Sequence, residues 1–186
     1  MVPNIPVIGF VAGSGSGKTT LLRRVVPLLV AKGLRIGYLK HAHHGFDLDV
    51  PGKDSYEVRA AGAVQTLLAS DERWALQAEQ EAVKGRDPDL VEMLGHFEAA
   101  GLDLILVEGF KHAAYPKIEV FRSALARPPL YPDDPHILAV AGDVPLARGS
   151  RPEPLPIDEP QAVADFILGC LRDGRLSPLT ACVGAG

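Results

Sequence analysis

The sequence predicts an α/β fold of three layers, a mostly parallel sheet between helices, with a β-hairpin inserted in the chain. Three observations predict it. The apolar run Pro6 to Ala12 leads into a glycine-rich turn, Gly13 to Thr20 (GSGSGKTT), and then into an apolar-periodic run, Leu21 to Val30; strand, turn and helix follow in that order. A second short apolar run, Arg35 to Lys40, comes after the helix, so it arrives by a crossover and lies parallel to the first strand. Further on, Leu104 to Val107 are four consecutive apolar residues, as in a strand buried on both faces.

The turn is the strongest signal. Its alternating glycines let consecutive N–H groups turn inward around an anion, and the helix opening at Lys18 adds its positive dipole end to the same spot. Lys18 reaches terminal phosphates as a point charge, and the Thr19 hydroxyl is placed to ligand a magnesium ion that bridges them. The candidate nucleotide-binding residues are therefore Gly13, Ser14, Gly15, Ser16, Gly17, Lys18, Thr19 and Thr20. Ala12 stands where this motif usually begins with glycine, a change the strand end tolerates.

A chain of 186 residues with 47% hydrophobic content can bury one core. The reading assigns one domain to residues 1–176 and a C-terminal tail to residues 177–186. A formal net charge of −4 gives no electrostatic footprint for nucleic acid. The longest apolar run is too short to cross a bilayer, and the start MVPNIPVIGF lacks the basic segment and cleavage site of a signal peptide. A cytoplasmic location is expected. Cys170 and Cys182 lack paired CxxC spacing and read as core or tail residues.

In chain order, Thr19 to Lys32 reads as a helix bent at Pro27 and ended by Gly33. After the second strand comes HAHHGFDLDVPGKDS, residues 41–55, with three histidines and a DxD pair. A polar loop at the carboxyl end of a strand beside the phosphate loop is where α/β sheets place substrate and metal ligands. Asp47 or Asp49 can hold magnesium directly or through water. His41, His43 and His44 suit a transition metal, or are exposed loop residues, or hydrogen-bond a ligand. Asp54 with Glu57 reads as a capping box for a helix ending at Gly62. Val64 to Ala69 and Arg73 to Gln77 read as a hairpin whose open edge invites strand pairing with a second copy of the chain. Pro88 to Ala100 fits a helix with Leu90, Val91, Leu94 and Phe97 on one face.

The strand Leu102 to Gly109 ends in Glu108, which either stands where phosphate-loop proteins place an acid, usually aspartate, opposite magnesium and its waters, or is a surface cap. Lys111, His112 and Lys117 follow beside the same edge, then a strand Lys117 to Phe121 and a proline-rich cover segment, Ser123 to Asp134. His136 to Ala141 is another buried strand, and Asp143 after it either accepts the N1 and N2 hydrogens of a guanine base or is a turn residue before Pro145. A short run, Leu155 to Ile157, precedes Asp158, a candidate cap for a helix Pro160 to Leu171.

Taken together, AGSGSGKTTLL, KHAHHGFDLDVPGKDSYEVRAAGA and LILVEGFKHAAYPKIEVFR resemble molybdopterin-guanine dinucleotide biosynthesis protein B over most of residues 6–143. The resemblance implies a P-loop NTPase fold and a GTP-binding adapter with weak GTPase activity, typically a homodimer. Its implied role is to assist the guanylyltransferase that joins GMP to molybdopterin in making the molybdopterin guanine dinucleotide form of the molybdenum cofactor. Carried over by motif, Gly13 to Thr20 hold the GTP phosphates, and Thr19 and Glu108, with Asp47 or Asp49, surround Mg2+. Slow hydrolysis is expected, with Arg59 and Arg122 the candidate arginines in cis. His41, His43, His44 and Lys53 are candidates to touch the pterin phosphate or the partner enzyme. Two other readings use the same phosphate loop: a small-molecule kinase, for which the sequence has no compact arginine-rich lid, and a GTP-dependent metallochaperone, whose histidine loop here has no cysteine.

Overall fold

A computed structural model describes residues 4–13, 15–42, 45–80, 87–144, 151–176 and 178–179. The chain divides into two compact units, residues 42–87 and the remainder. In the larger unit the strands are β1 (Val7–Val11), β2 (Ile36–Lys40), β5 (Leu104–Glu108), β6 (Lys117–Phe121), β7 (Ile137–Gly142) and β8 (Glu153–Pro156), and the helices are α1 (Lys18–Val30), α3 (Leu90–Leu94) and α4 (Pro160–Arg172). The smaller unit holds α2 (Asp54–Ala60), β3 (Gln65–Ala69) and β4 (Trp74–Ala78).

The six strands of the larger unit form one sheet in the order β2-β5-β1-β6-β7-β8, every pair parallel. Alternation along β1 assigns its two faces. Ile8 and Phe10 pack with Leu21, Leu22, Val25 and Leu29 of α1 and with Val163, Phe166 and Ile167 of α4. Val7 on the opposite face packs with Ile105 and Val107 of β5, Leu90 and Leu94 of α3, and Tyr115. The result is the three-layer arrangement the sequence predicts, and β1 and β5, sheathed on both sides, are buried at every residue.

Several local expectations change in the tertiary structure. The hairpin forms a two-stranded antiparallel sheet of its own. The helix predicted over Pro88 to Ala100 spans only Leu90–Leu94, capped by the Asp89 carboxylate, which accepts the Glu92 N–H at 2.9 Å; Gly95 then bonds to the carbonyls of Val91 and Glu92 and the chain turns. Neither predicted cap forms. Lys53 is the N-cap of α2, with Asp54 inside the first turn, and Glu159 is the N-cap of α4, and neither makes a side-chain cap bond. Asp54 still places a negative charge near the positive helix end. Pro27 lies inside α1, which continues through it to Val30.

Two buried charges fasten the segments flanking β6. Glu119, 2% exposed, accepts the N–H groups of Leu130 at 2.7 Å and Tyr131 at 2.9 Å, tying down the proline-rich segment. Burial nevertheless pushes its carboxyl above the usual range, the two N–H bonds opposing that rise. Lys117, expected beside the functional edge, is buried at 1% exposure. Its Nζ donates to the carbonyls of Lys111 at 3.1 Å and Ala113 at 2.8 Å and pairs with Asp134. It anchors the turn that follows β5. Lys117→Ala leaves Asp134 and two carbonyls without their donor, so a loss of about 3 kcal/mol in denaturant unfolding is expected. Combining Lys117→Met with Asp134→Asn is expected to recover part of that loss, because no uncompensated charge then stays buried.

Candidate functional site

The site grows from the carboxyl edge of the sheet. Register aligns Phe10 of β1 with Glu108 of β5 and Glu108 with Lys40 of β2, so three strand ends meet side by side. Directly after β1 the chain enters the phosphate loop. Gly15 (φ 81) and Gly17 (φ 89) take the left-handed conformations that a side chain resists. Gly17 is the N-cap of α1 and its carbonyl accepts the Leu21 N–H at 2.9 Å, so the loop ends in an open helix terminus. Ser14 lies outside the described residues.

Lys18 folds back along the loop, with Nζ 3.4 Å from the Gly13 carbonyl and 3.5 Å from that of Ala12. Burial lowers its pKa, with Lys40 and Lys111 adding to that effect and Glu108 opposing it. The Thr19 hydroxyl contacts both carboxylate oxygens of Glu108, at 3.0 and 3.1 Å. Glu108 is 6% exposed and gains two further partners from β2: the Tyr38 hydroxyl donates to Oε2 at 2.6 Å, and the Lys40 Nζ stands 3.8 Å from Oε1. Burial first, and then Glu108, push the Tyr38 phenol far above its ordinary range, so it stays a neutral donor.

Of the sequence candidates, Thr19, Lys18 and Glu108 therefore come together. Thr19 and Glu108 present hard oxygen donors suited to magnesium. Ser16, 2% exposed, carries a buried Oγ that has no hydrogen-bond partner among the described residues; it lies within the turn whose N–H groups would cradle phosphate. These residues fit a nucleotide phosphate chain with its Mg2+, whose remaining ligands would be phosphate oxygens and water.

Two arginines from the segment after β6 reach the same loop. A Cβ built on Gly13 would stand 2.8 Å from Nη1 of Arg127, and one built on Gly17 would stand 3.8 Å from Nε of Arg122. Arg122 was a candidate by sequence; Arg127 was missed, as were Tyr38 and Lys40. Only the i, i+2 spacing of Tyr38 and Lys40 on one strand face hinted that both side with Glu108.

Asp143 follows β7 and is exposed. Its Oδ1 accepts the Ser123 N–H at 2.9 Å and its Oδ2 lies 3.3 Å from the Ser123 hydroxyl; the Ser123 N–H holds its carboxyl below the usual range. Asp47 and Asp49 belong to the smaller unit. There Asp47 accepts Nη2 of Arg59 at 2.7 and 2.8 Å and the Asp49 N–H at 3.0 Å, while Nη1 of Arg59 pairs with Glu79 at 3.0 Å. His41 stacks on Phe110, ring centroids 4.8 Å apart; His43 and His44 lie outside the described residues.

Comparison with known proteins gives consistent matches. A family model described as molybdopterin guanine dinucleotide synthesis protein B matches residues 7–143. The chain is 47% identical over 165 residues to the molybdopterin-guanine dinucleotide biosynthesis adapter protein of Escherichia coli strain K12, covering 88% of this chain and 92% of that one. It is 40% identical over 163 residues to the protein of the same name from Haemophilus influenzae, covering 88% of each. The crystal structure of Bacillus subtilis MobB superposes with a TM-score of 0.67 at 26% identity, over 89% of this chain and 97% of that one.

The turn behind Glu108 tests how tightly the site is built. Gly109 has φ 103, and a Cβ there would lie 2.8 Å from Cβ of His41, whereas Gly33, at φ 87, has open space. Gly33→Ala is expected to cost about 1 kcal/mol of backbone strain, and Gly109→Ala clearly more, because it also displaces His41. Paired denaturant titrations of the two variants check this; equal losses would show that the close approach at Gly109 carries no cost.

Proposed function

The chain belongs to the molybdopterin guanine dinucleotide synthesis protein B family, and from that premise we propose that it is a GTP-binding adapter in molybdopterin guanine dinucleotide biosynthesis. In this reading it assists the guanylyltransferase that joins GMP to molybdopterin, and its own GTPase activity is weak. The observation that carries the reading is the contact of Thr19 with Glu108 beside Lys18. A hydroxyl and a buried carboxylate at the mouth of a phosphate loop are the donor pair that a magnesium nucleotide requires.

In the proposed complex the N–H groups of Gly13 to Thr20 and the Lys18 ammonium hold the phosphates. Thr19 and Glu108 would hold Mg2+, and Asp47 or Asp49 are kept as further candidate ligands, directly or through water, on the sequence motif alone. Magnesium, when bound, neutralises charge on the terminal phosphates. Tyr38 and Lys40 hold the Glu108 carboxylate in place from the neighbouring strand. Asp143 accepts the N1 and N2 hydrogens of guanine after releasing Ser123, whose hydrogen bonds stand in for them. A cytoplasmic location is part of the same proposal. Among the described residues no helix is long and apolar enough to cross a membrane. The division into a nucleotide-binding domain, residues 1–176, and a tail, residues 177–186, belongs to the same proposal.

A homodimer is proposed through the smaller unit. In the hairpin Leu67 pairs with Leu76 and Ala69 with Trp74, and Leu67, Leu76 and Trp74 are 63%, 50% and 58% exposed. A lone two-stranded sheet is marginal in water. A second copy, related by a two-fold axis, gives such a face a self-complementary cover.

Calorimetric titration with non-hydrolysable GTP and ATP analogues, each with and without Mg2+, tests the nucleotide. Binding of the GTP analogue alone, dependent on Mg2+, is expected. Lys18→Ala is expected to weaken it by about 100-fold, Glu108→Gln to remove most of its Mg2+ dependence, and Asp143→Ala to erase the preference for guanine. Equal affinity of the unmodified chain for both analogues would overturn the assignment of GTP. Sedimentation equilibrium should report a dimer that Leu76→Glu converts to monomer.

A further inference from the structure

We propose that Arg127 reads the terminal phosphate of the bound nucleotide, so that this chain itself distinguishes a nucleoside triphosphate from a diphosphate. The inference rests on the nucleotide reading above and deepens it. It starts from where the guanidinium lies. A Cβ on Gly13 would meet Nη1 of Arg127 at 2.8 Å, Cδ at 3.1 Å and Cζ at 3.7 Å, so the side chain lies across the opening of the phosphate loop. The Lys18 ammonium stands 3.4 Å from the carbonyl of the same Gly13. Because the lysine of such a loop serves the β- and γ-phosphates, the Gly13 end of the loop is the terminal-phosphate end. Arg127 is therefore the second cation at that end.

Position, charge and backbone combine at Arg127. Arg35, Arg59, Arg73, Arg122 and Arg175 each have a carboxylate within 4.0 Å; Arg127, like Arg23, Arg24 and Arg172, has none among the described residues, and of these four it is the one beside Gly13. A guanidinium beside an ammonium, with no carboxylate of its own, is suited to an anion with several acceptor oxygens, which its planar fork can bind through two N–H groups at once. The residue before it, Ala126, has φ 47, a left-handed conformation that costs a non-glycine residue strain, and it ends the 3-10 turn Ser123–Leu125. This turn begins at Ser123, whose N–H is held by Asp143. The strained alanine turns the chain so that Arg127 reaches back over Gly13. Arg122 approaches the loop at the other end, near Gly17, and its contact with Asp158 is long at 3.8 Å. It faces the region of the inner phosphates, common to both nucleotides, and does not separate them.

The test compares the full chain with Arg127→Ala and Arg127→Lys by calorimetric titration in Mg2+, using a non-hydrolysable GTP analogue and, separately, GDP. Thermal midpoints within the error of the unmodified chain establish that the exposed substitutions leave the fold intact. Arg127→Ala is expected to lose about 10-fold or more in affinity for the triphosphate analogue while its GDP affinity stays within about twofold, and Arg127→Lys to recover only part of the loss. An unmodified chain that binds both nucleotides, with an unchanged triphosphate-to-diphosphate ratio in Arg127→Ala, overturns the role of Arg127 and leaves the nucleotide reading standing. Failure of the unmodified chain to bind either nucleotide overturns the nucleotide reading itself.

Discussion

A carboxylate at 6% exposure must be surrounded by donors, and Glu108 obtains them from separate parts of the chain: Thr19 at the start of α1, Tyr38 and Lys40 on β2. This requirement dictates much of the surrounding architecture. β5 must lie between β1 and β2, so that its tip is flanked by the phosphate loop on one side and by two donors spaced i, i+2 on the other. Inserting β5 there in turn forces α1 to carry the chain from β1 past β5 to β2. The apolar stripes of α1 and α4 then have a continuous sheet face to cover.

Backbone strain gathers around the same edge. Among the described residues, the non-glycine residues with positive φ are Phe110 and Ala126. Phe110 comes two residues after Glu108 and stacks on His41; Ala126 directly precedes Arg127. Each cost is met by fixed partners nearby. Tyr115 donates to the Gly109 carbonyl at 2.7 Å and Lys117 holds the carbonyls of Lys111 and Ala113, while Glu119 and Asp143 pin the two ends of the segment that carries Ala126. Buried polar groups away from the chemistry thus hold the loops on which the chemistry depends.

The smaller unit follows a different logic. Arg59 pairs within it with Asp47 and Glu79, yet its apolar side chains are left largely exposed, Phe46 at 73% and Leu48 at 70% among them. Such a surface is unlike that of the larger unit, whose central strands β1 and β5 are buried at every residue. Exposure on this scale belongs to interaction surfaces.

The sequence by itself determined the phosphate loop, the strands β1, β5 and β6, and an acid at the tip of β5. Each of these is encoded locally: glycine spacing, uninterrupted apolar runs, and an acid followed by glycine leave little freedom of interpretation. The helix after Pro88 was overestimated because its apolar periodicity runs on through Phe97 while Gly95 ends the helix after one turn. Both predicted caps were off by one residue, since capping depends on φ and ψ at the boundary, which composition does not fix. Only the tertiary structure decided what Lys117, Tyr38 and Arg127 do. Lys117 is turned inward onto the loop just before its own strand, Tyr38 acts on a residue distant in sequence, and Arg127 reaches Gly13 across more than half the chain through a strained turn at Ala126. Contacts of that range are set by sheet order and loop closure, and a periodic pattern contains neither.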